Sequence, residues 1–484
     1  VESTVVMDPF ETSATESGPA MTLKLSRVFC EVPDSFVAAS LSSDANPAFR
    51  PPARSKTFRL RAVLLFLISQ LPLSAAMAEN WPCWRGPRGD GTSAETNVPT
   101  TWNGITGENV AWKSKLRGTG HASPVIWNDR IFLSSCEETT GERILTCLDQ
   151  ANGETVWQKV VAKSKLETKH QLNSYASGTP ATDGKTVYVS FLIVDGHEIP
   201  APNVGSERNV TPGQILVAAF DFSGNELWHV TIGDFISAHG FCSSPVIHEN
   251  LLIVNGDHDG ESYVVALDRS NGQTVWKTPR THKIRSYCTP IIRDIAGRTQ
   301  MVMSGSKQVV SLDPKTGDEI WRVEGPTEQF VSSMVADDQS FYLTAGFPTH
   351  HVMAINPDGS GDVTASHVRW QSEEAKCYVP SPVLTGPHLF VADDRGTVNC
   401  FETATGKRLW QDRLGKHYSA SLLTANGLVY FTADDGVTSI VRPGEKLDVV
   451  SRNELGEYTW SSPAIANGRI YIRGEHHLFA IGNP

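Results

Sequence analysis

The side chains best suited to chemistry in this sequence return at intervals, just ahead of short apolar stretches. His121, Tyr175, His239, Tyr287, Ser333, Tyr378, His417 with Tyr418, and Trp460 each precede such a stretch, and Arg285, Lys376 and Lys416 stand just upstream of three of them. His, Tyr and Trp rings can stack on a planar ligand, and the neighbouring cations can pair with carboxylates, which suits a planar acid or an acidic peptide. The same residues would also serve as plain filling for a wet channel. A second set is acidic: Asp257-His258-Asp259, Asp393-Asp394, Asp434-Asp435 and Glu475-His476-His477. Their donors could ligate calcium or a transition metal if several converged. Asp beside Gly, as in Asp394-Arg395-Gly396 and Asp435-Gly436, is however the chemistry of a tight hairpin turn, so turns are expected and no metal site is assigned. His350 and His351 are adjacent, and adjacent residues on a strand face opposite ways, so one site does not use both. The sequence has no nucleophile elbow, phosphate loop or His-Glu-x-x-His signature, and no catalytic residue is assigned.

The elements that position these residues are repeats. ALDRSNGQTVW at 266–276, CLDQANGETVW at 147–157, SLDPKTGDEIW at 311–321 and CFETATGKRLW at 400–410 are variants of one phrase. Self-similarity at roughly 40 to 50 residues marks an architecture in which each unit buries its apolar faces only by stacking on its neighbours. Most units open on Ser-Pro or Thr-Pro (Ser123-Pro124, Thr179-Pro180, Ser244-Pro245, Thr289-Pro290, Ser381-Pro382, Ser462-Pro463) and continue into short alternating strands split by Gly, Asn or Asp turns. Four such strands make a propeller blade. Units opening near 123, 179, 244, 289, 332, 381, 420 and 462 predict an all-β, eight-bladed propeller, with seven blades as the alternative. The last unit ends after three strands, and residues 110–113 read as a lone fourth strand that completes it and closes the ring. Trp112, Trp157, Trp228, Trp276, Trp321, Trp370 and Trp410 are read as cement between blades, because their spacing tracks the repeat. The seventh unit lacks its Trp at residues 447–450, so that joint is expected to be the weakest.

The phrase A-x-D-x-x-T-G-x-x-x-W resembles the tryptophan-docking motif of the quinoprotein-type, PQQ-like repeat family, which includes pyrroloquinoline quinone (PQQ) dehydrogenases and BamB-type outer-membrane assembly proteins. The likeness covers roughly residues 110–484, and the run Asn80-Trp81-Pro82-Cys83-Trp84-Arg85-Gly86-Pro87-Arg88-Gly89-Asp90-Gly91 is similar to the opening of secreted bacterial members. It implies a propeller that works outside the cytoplasm. Catalysis does not follow from the fold. The dehydrogenases carry an adjacent Cys-Cys pair that this chain lacks, and BamB-type members carry a lipidated Cys that it also lacks. The expected function is a non-catalytic binding or scaffold protein. The alternative is a PQQ-dependent oxidoreductase with PQQ and calcium at the channel mouth, and a lyase or hydrolase using rim His and Asp is a third class.

The remaining features bound location and partners. Arg54, Lys56, Arg59 and Arg61 precede an apolar run and then Ala76-Met77-Ala78, the order of a secretory signal over 54–78, or of an uncleaved anchor. Residues 1–53 are expected to be a disordered leader or a mis-called start, residues 79–109 an extension packed on the propeller, and the protein periplasmic or secreted. A net charge of -11 argues against nucleic acid; a monomer that meets an unknown protein or small molecule is expected. Seven Cys would follow cleavage; Cys147 and Cys400 occupy the slot of Ala266, Ala219 and Ser311 and read as small core residues, while a bridge between Cys242 and Cys288 is left open. Two long insertions, 162–174 and 195–213, are expected to form a flap over one sector of the rim, bringing His170, His197 and Glu198. Trimming 195–213 to a short turn should leave the thermal midpoint almost unchanged; a collapse in a melting experiment would show that the segment belongs to the body of the fold.

Overall fold

The computed structural model describes residues 78–483. The leader and signal expected over residues 1–77 lie outside the described residues. Among the described residues there is no helix long and apolar enough to cross a membrane.

Eight blades of four antiparallel strands follow one another along the chain, the fourth of them extended by a short parallel fifth strand, Gly361–Asp362. Blade 1 is Val125–Trp127, Arg130–Glu137, Glu142–Asp149 and Thr155–Lys163, and blades 2 to 7 repeat the pattern. Blade 8 is Ala464–Ala466, Arg469–Arg473 and His477–Ile481, completed by Val110–Lys115 from the start of the ring. The eight-blade count and the closing strand are therefore as the repeats predict.

Two belts of hydrogen bonds join the blades. The inner belt explains the Ser-Pro and Thr-Pro steps. The backbone N–H at the head of one blade's first strand donates to the hydroxyl of the matching Ser or Thr in the next blade: Ser123 to Thr179 (2.9 Å), Thr179 to Ser244 (3.0 Å), Thr289 to Ser333 (2.8 Å), Ser333 to Ser381 (2.9 Å), Ser381 to Ser421 (3.0 Å) and Ser421 to Ser462 (2.9 Å). The Pro that follows in most blades has no N–H to leave unsatisfied on this inner edge.

The outer belt is the Trp set. Each indole lies across the strand pair from a small residue, as in Ala266 opposite Trp276, Cys147 opposite Trp157 and Cys400 opposite Trp410, with a bulge immediately after the small residue. The indole N–H reaches a carbonyl in the next blade's Gly turn: Trp157 to Phe222 (2.9 Å), Trp228 to Arg269 (3.1 Å), Trp276 to Pro314 (3.2 Å), Trp370 to Thr403 (2.8 Å) and Trp410 to Gly444 (3.0 Å). Trp112 closes the ring on Gln150 at 3.2 Å. Trp321 departs from the pattern: it donates to Gln300 Oε1 in its own blade (2.6 Å), and Gln300 passes the bond on to the Pro357 carbonyl of blade 5 (3.0 Å).

The joint between blades 7 and 8, which lacks its Trp, is not left bare. In blade 7 the large residue, Ile440, faces a small one, Ser451, and the N-terminal segment fills the space so left. Ser451 donates to the Thr100 carbonyl (2.6 Å), Asn453 accepts from the Trp102 N–H (2.9 Å), and Trp102 is buried in the core shared by blades 7, 8 and 1. Upstream, the same segment crosses the strand 1–2 turn end of the channel. Trp81 exchanges backbone bonds with Ile126 of blade 1, and Pro82 accepts from Thr182 of blade 2. Asp90 pairs with Arg293 of blade 4 (2.8 Å), Arg85 donates to Pro382 of blade 6 (2.5 Å), Thr424 of blade 7 bonds to Gly91 and Ser93, and Glu95 accepts from Asn467 of blade 8 (2.7 Å). The opposite end, with the lead-in segments and the strand 2–3 loops, is the channel mouth.

The outer belt makes a sharp demand on the Gly turns. At Gly317, which has φ 75°, an added Cβ would lie 2.6 Å from the Trp276 ring. Gly317→Ala should cost roughly 2–4 kcal/mol, from left-handed backbone strain plus displacement of the indole. Urea unfolding measures this; a cost below about 0.5 kcal/mol would mean that the indole does not dock on the turn.

Candidate functional site

Three groups of side chains line the mouth. Between blades 8 and 1, His121 stacks on Trp460 (centroids 5.0 Å, 27°), and Trp460 in turn on Tyr458 (6.2 Å, 12°). Tyr175 lies beside them, with Lys169 Nζ 5.0 Å from its ring centre and the Arg143 guanidinium at 5.7 Å. Between blades 3 and 4, His239 meets His170 edge-on (5.3 Å) and stacks over Tyr287 (6.2 Å). Tyr287 shares a hydrogen bond with Ser237 (3.0 Å), Tyr378 donates to Gln329 (3.2 Å), and Arg285 makes two 2.9 Å bonds to Asp259. Between blades 6 and 7, His417 Nδ1 lies 2.6 Å from Asp434, which also accepts from the Ser419 N–H (2.7 Å). Lys376 is exposed beside His350.

Tyr418 belongs elsewhere. Its ring is 1% exposed in the core between blades 6 and 7, edge-on to Phe431. Ser333 is the inner-belt residue of blade 5. The acidic pairs act mainly as turn and lead-in locks: Asp393 accepts from Arg395 and Thr397 N–H groups, Asp257 from Arg280 and Ser286, and Glu457 from the backbone of His476 and His477. All seven described Cys are free thiols, including Cys242 and Cys288.

The two insertions are folded and tied together. Thr168 and Thr211 exchange backbone-to-hydroxyl bonds (2.7 and 3.1 Å), and Ile199–Pro200 pairs with Asn209–Val210 as a hairpin. Asn203 at its tip donates to the Lys283 carbonyl (2.6 Å) and accepts from Arg285 (3.2 Å), so the hairpin reaches over blade 3 to the blade 4 lead-in. His170 sits at the mouth, whereas His197 and Glu198 are held outside it, His197 on Asp195 (2.5 Å) and Glu198 on Asn209 (3.1 Å). Val210 is fully buried, so unchanged stability is expected of a cut within the tip and not of one that removes Val210 and Thr211.

The electrostatics of the mouth are uneven. Burial, with help from Arg473 and Lys169, pushes His121 down to about 3, and burial with Arg285 holds His239 well below the usual imidazole range. Both rings are therefore neutral and weakly basic. His417 moves the other way, raised by its bond to Asp434. Burial raises two acids to about 7: Glu167, although Arg143 pairs with it (2.6 Å), and Asp394, although the Val379 N–H donates to it (2.9 Å) and His417 faces it.

Calcium with PQQ does not fit these residues. The carboxylates of Asp257, Asp259, Asp434 and Glu457 are spent on Arg, His or backbone partners, and no described group of three or more His, Cys, Asp or Glu could hold a metal ion. The His121–Trp460 and His239–Tyr287 rings stack on one another instead of flanking an open slot. Several residues at the mouth went unread in the sequence: Tyr458, Arg143, Ser237, Gln329, Lys169 inside an insertion and Arg473 on a second strand. Arg473 had a signal, since its repeat position holds Ser134, Ser190, Asn255, Ser304, Thr344 and Thr432 in other blades.

The family model described as "Outer membrane protein assembly factor BamB" matches residues 94–198, 196–359 and 349–465. The chain belongs to this family of PQQ-like repeat propellers. BamB from Moraxella catarrhalis is similar in structure, with a TM-score of 0.53 at 15% identity over 76% of this chain and 98% of that one. A europium-containing methanol dehydrogenase has a TM-score of 0.53 at 13% identity, over 82% and 90%. The computationally designed Ika8 protein has 0.52 at 10%, over 77% and 99%. At these identities the BamB-like and dehydrogenase likenesses are of fold alone. No curated protein matches the chain in sequence.

Asp394 gives a pH prediction. A buried carboxyl that titrates near 7, against about 4 when unfolded, holds its proton better in the folded state, so its contribution to stability falls as pH rises through that window. Asp394→Asn keeps an acceptor for Val379 and removes the charge. Its thermal midpoint relative to wild type should be higher at pH 8 than at pH 5; equal differences at both pH values would show that Asp394 is ionised throughout.

Proposed function

We propose that this chain is an exported propeller that binds a ligand or partner at its channel mouth and does not transform it. The observation that carries this reading is the state of the mouth's polar groups. His121 and His239 are neutral and too weakly basic to take protons near pH 7, and Arg285, Asp259, His417 and Asp434 are locked in pairs. General acid–base catalysis works best with groups that titrate near the working pH, whereas a rigid set of aromatic faces and paired charges is suited to recognition. The N-terminal segment supports the same reading, because it crosses the other end of the channel and leaves the mouth as the uncrossed face. Export is supported by the signal-like order at 54–78 and by the "outer membrane" description of the family.

Asp394 is the observation that favours the oxidoreductase alternative, since a carboxyl titrating near 7 suits proton abstraction. Calorimetric titration of the protein with PQQ, with and without calcium, separates the two readings. The binding-protein reading expects no saturable uptake at cofactor concentrations approaching the millimolar range. Calcium-dependent one-to-one binding followed by alcohol turnover would overturn it.

A further inference from the structure

Arg473 breaks a rule that other blades keep. On blades 1, 2 and 3 the matching second-strand residue uses a small polar group to hold a lead-in carbonyl of the next blade: Ser134 to Gly178 (2.8 Å), Ser190 to Ser243 (2.7 Å) and Asn255 to Cys288 (3.0 Å). On blade 8, Arg473 does so with a guanidinium, donating from Nη1 to Ala122 (3.2 Å) and Ser134 (2.7 Å). A hydroxyl would serve at far lower cost, because burying a charge is opposed by several kcal/mol unless an opposite charge compensates.

No compensation is present among the described residues. Arg473 is 1% exposed, its Nε has no hydrogen-bond partner, and burial alone pulls it down to about 9 with no acid acting against the shift. The side chain is held in place. Thr459 and Ser461 hydroxyls pin its carbonyl at 2.7 and 3.0 Å, and Gly120 leaves it room, since a Cβ there would lie 2.8 Å from Nη2. The inner belt is also altered at this joint, where the Ser123 hydroxyl is buried without a partner. Lys169 stands over Tyr175 on the same side, and the His121 ring, stacked on Trp460, feels both cations.

We propose that Arg473, Lys169, His121 and Trp460 form an oxyanion subsite at the joint of blades 8 and 1, which takes the carboxylate or phosphate of a small ligand. The subsite rests on the reading of the mouth as a binding face and names the chemistry recognised there. An anion supplies the charge that the fold withholds from Arg473, the Arg473 Nε and the Ser123 hydroxyl supply donors that have no partner in the fold, and the exposed Tyr458–Trp460 face offers an apolar wall to the rest of the ligand.

The test is thermal denaturation of the full chain in chloride buffer of constant ionic strength, titrated with inorganic phosphate and, separately, with succinate. The wild-type midpoint should climb with the logarithm of one anion or both, and which anion acts tells phosphate from carboxylate. Arg473→Ser, the residue blades 1 and 2 use, should melt no lower than wild type without the anion and bind it at least tenfold more weakly. Lys169→Gln, a partly exposed site where the fold is not at stake, should weaken binding several-fold. Equal responses in wild type and both variants would overturn the proposal, as would a wild type indifferent to both anions. PQQ binding with alcohol turnover would instead overturn the binding-protein reading, and it leaves the anion titration to stand or fall by itself.

Discussion

A propeller blade cannot satisfy its own inner edge. The first strand of each blade lines the channel, and the N–H at its head faces away from its own sheet. Left buried and unpaired, each such group would cost about 1–3 kcal/mol. The answer here is a hydroxyl lent by the next blade, Ser or Thr at the same repeat position, so that six joints of the ring are stitched by one interaction. Because every stitch needs a neighbour, no blade is complete until the ring is, and the closing strand Val110–Lys115 is part of the same constraint.

The places where the stitch changes are the informative ones. Between blades 7 and 8 the outer Trp is missing and the N-terminal segment supplies Trp102 and a run of backbone contacts. Among the described residues the inner hydroxyl bond is absent between blades 3 and 4 and between blades 8 and 1, and at the 8–1 joint Arg473 takes the place of the small polar second-strand residue. The Trp102 and Arg473 substitutions fall beside the ring closure, where Val110–Lys115 completes blade 8. The same N-terminal segment then covers the strand 1–2 turn end of the channel, which directs attention to the mouth.

At the mouth, burial and charge pull neighbouring groups apart. Imidazoles near Arg473 and Arg285 lose their basicity, an imidazole beside Asp434 gains it, and Asp394, poorly solvated, keeps its proton to near neutral pH. Pairs such as Arg285–Asp259 and His417–Asp434 consume acids that could otherwise hold a cation. The outcome is a rigid, aromatic face whose unmatched charge at the blade 8–1 joint is positive, on a chain whose net charge is -11.

Much of the fold was legible in the chain. The period, the Asp-Gly turns and the Trp set eight four-stranded blades, because strand alternation and turn chemistry are local properties that one sequence carries in full. The small residues Cys147 and Cys400 could be read as partners of a large one for the same reason. Side-chain pairing across blades was not legible: that Tyr418 is core, that Asp257 and Asp394 hold lead-in segments, and that the N-terminal segment crosses six blades all depend on residues far apart in sequence. The same holds for charge. Arg473 looks like an ordinary strand-end cation until the ring closes and removes its water, and only the tertiary structure decides that no acid comes with it.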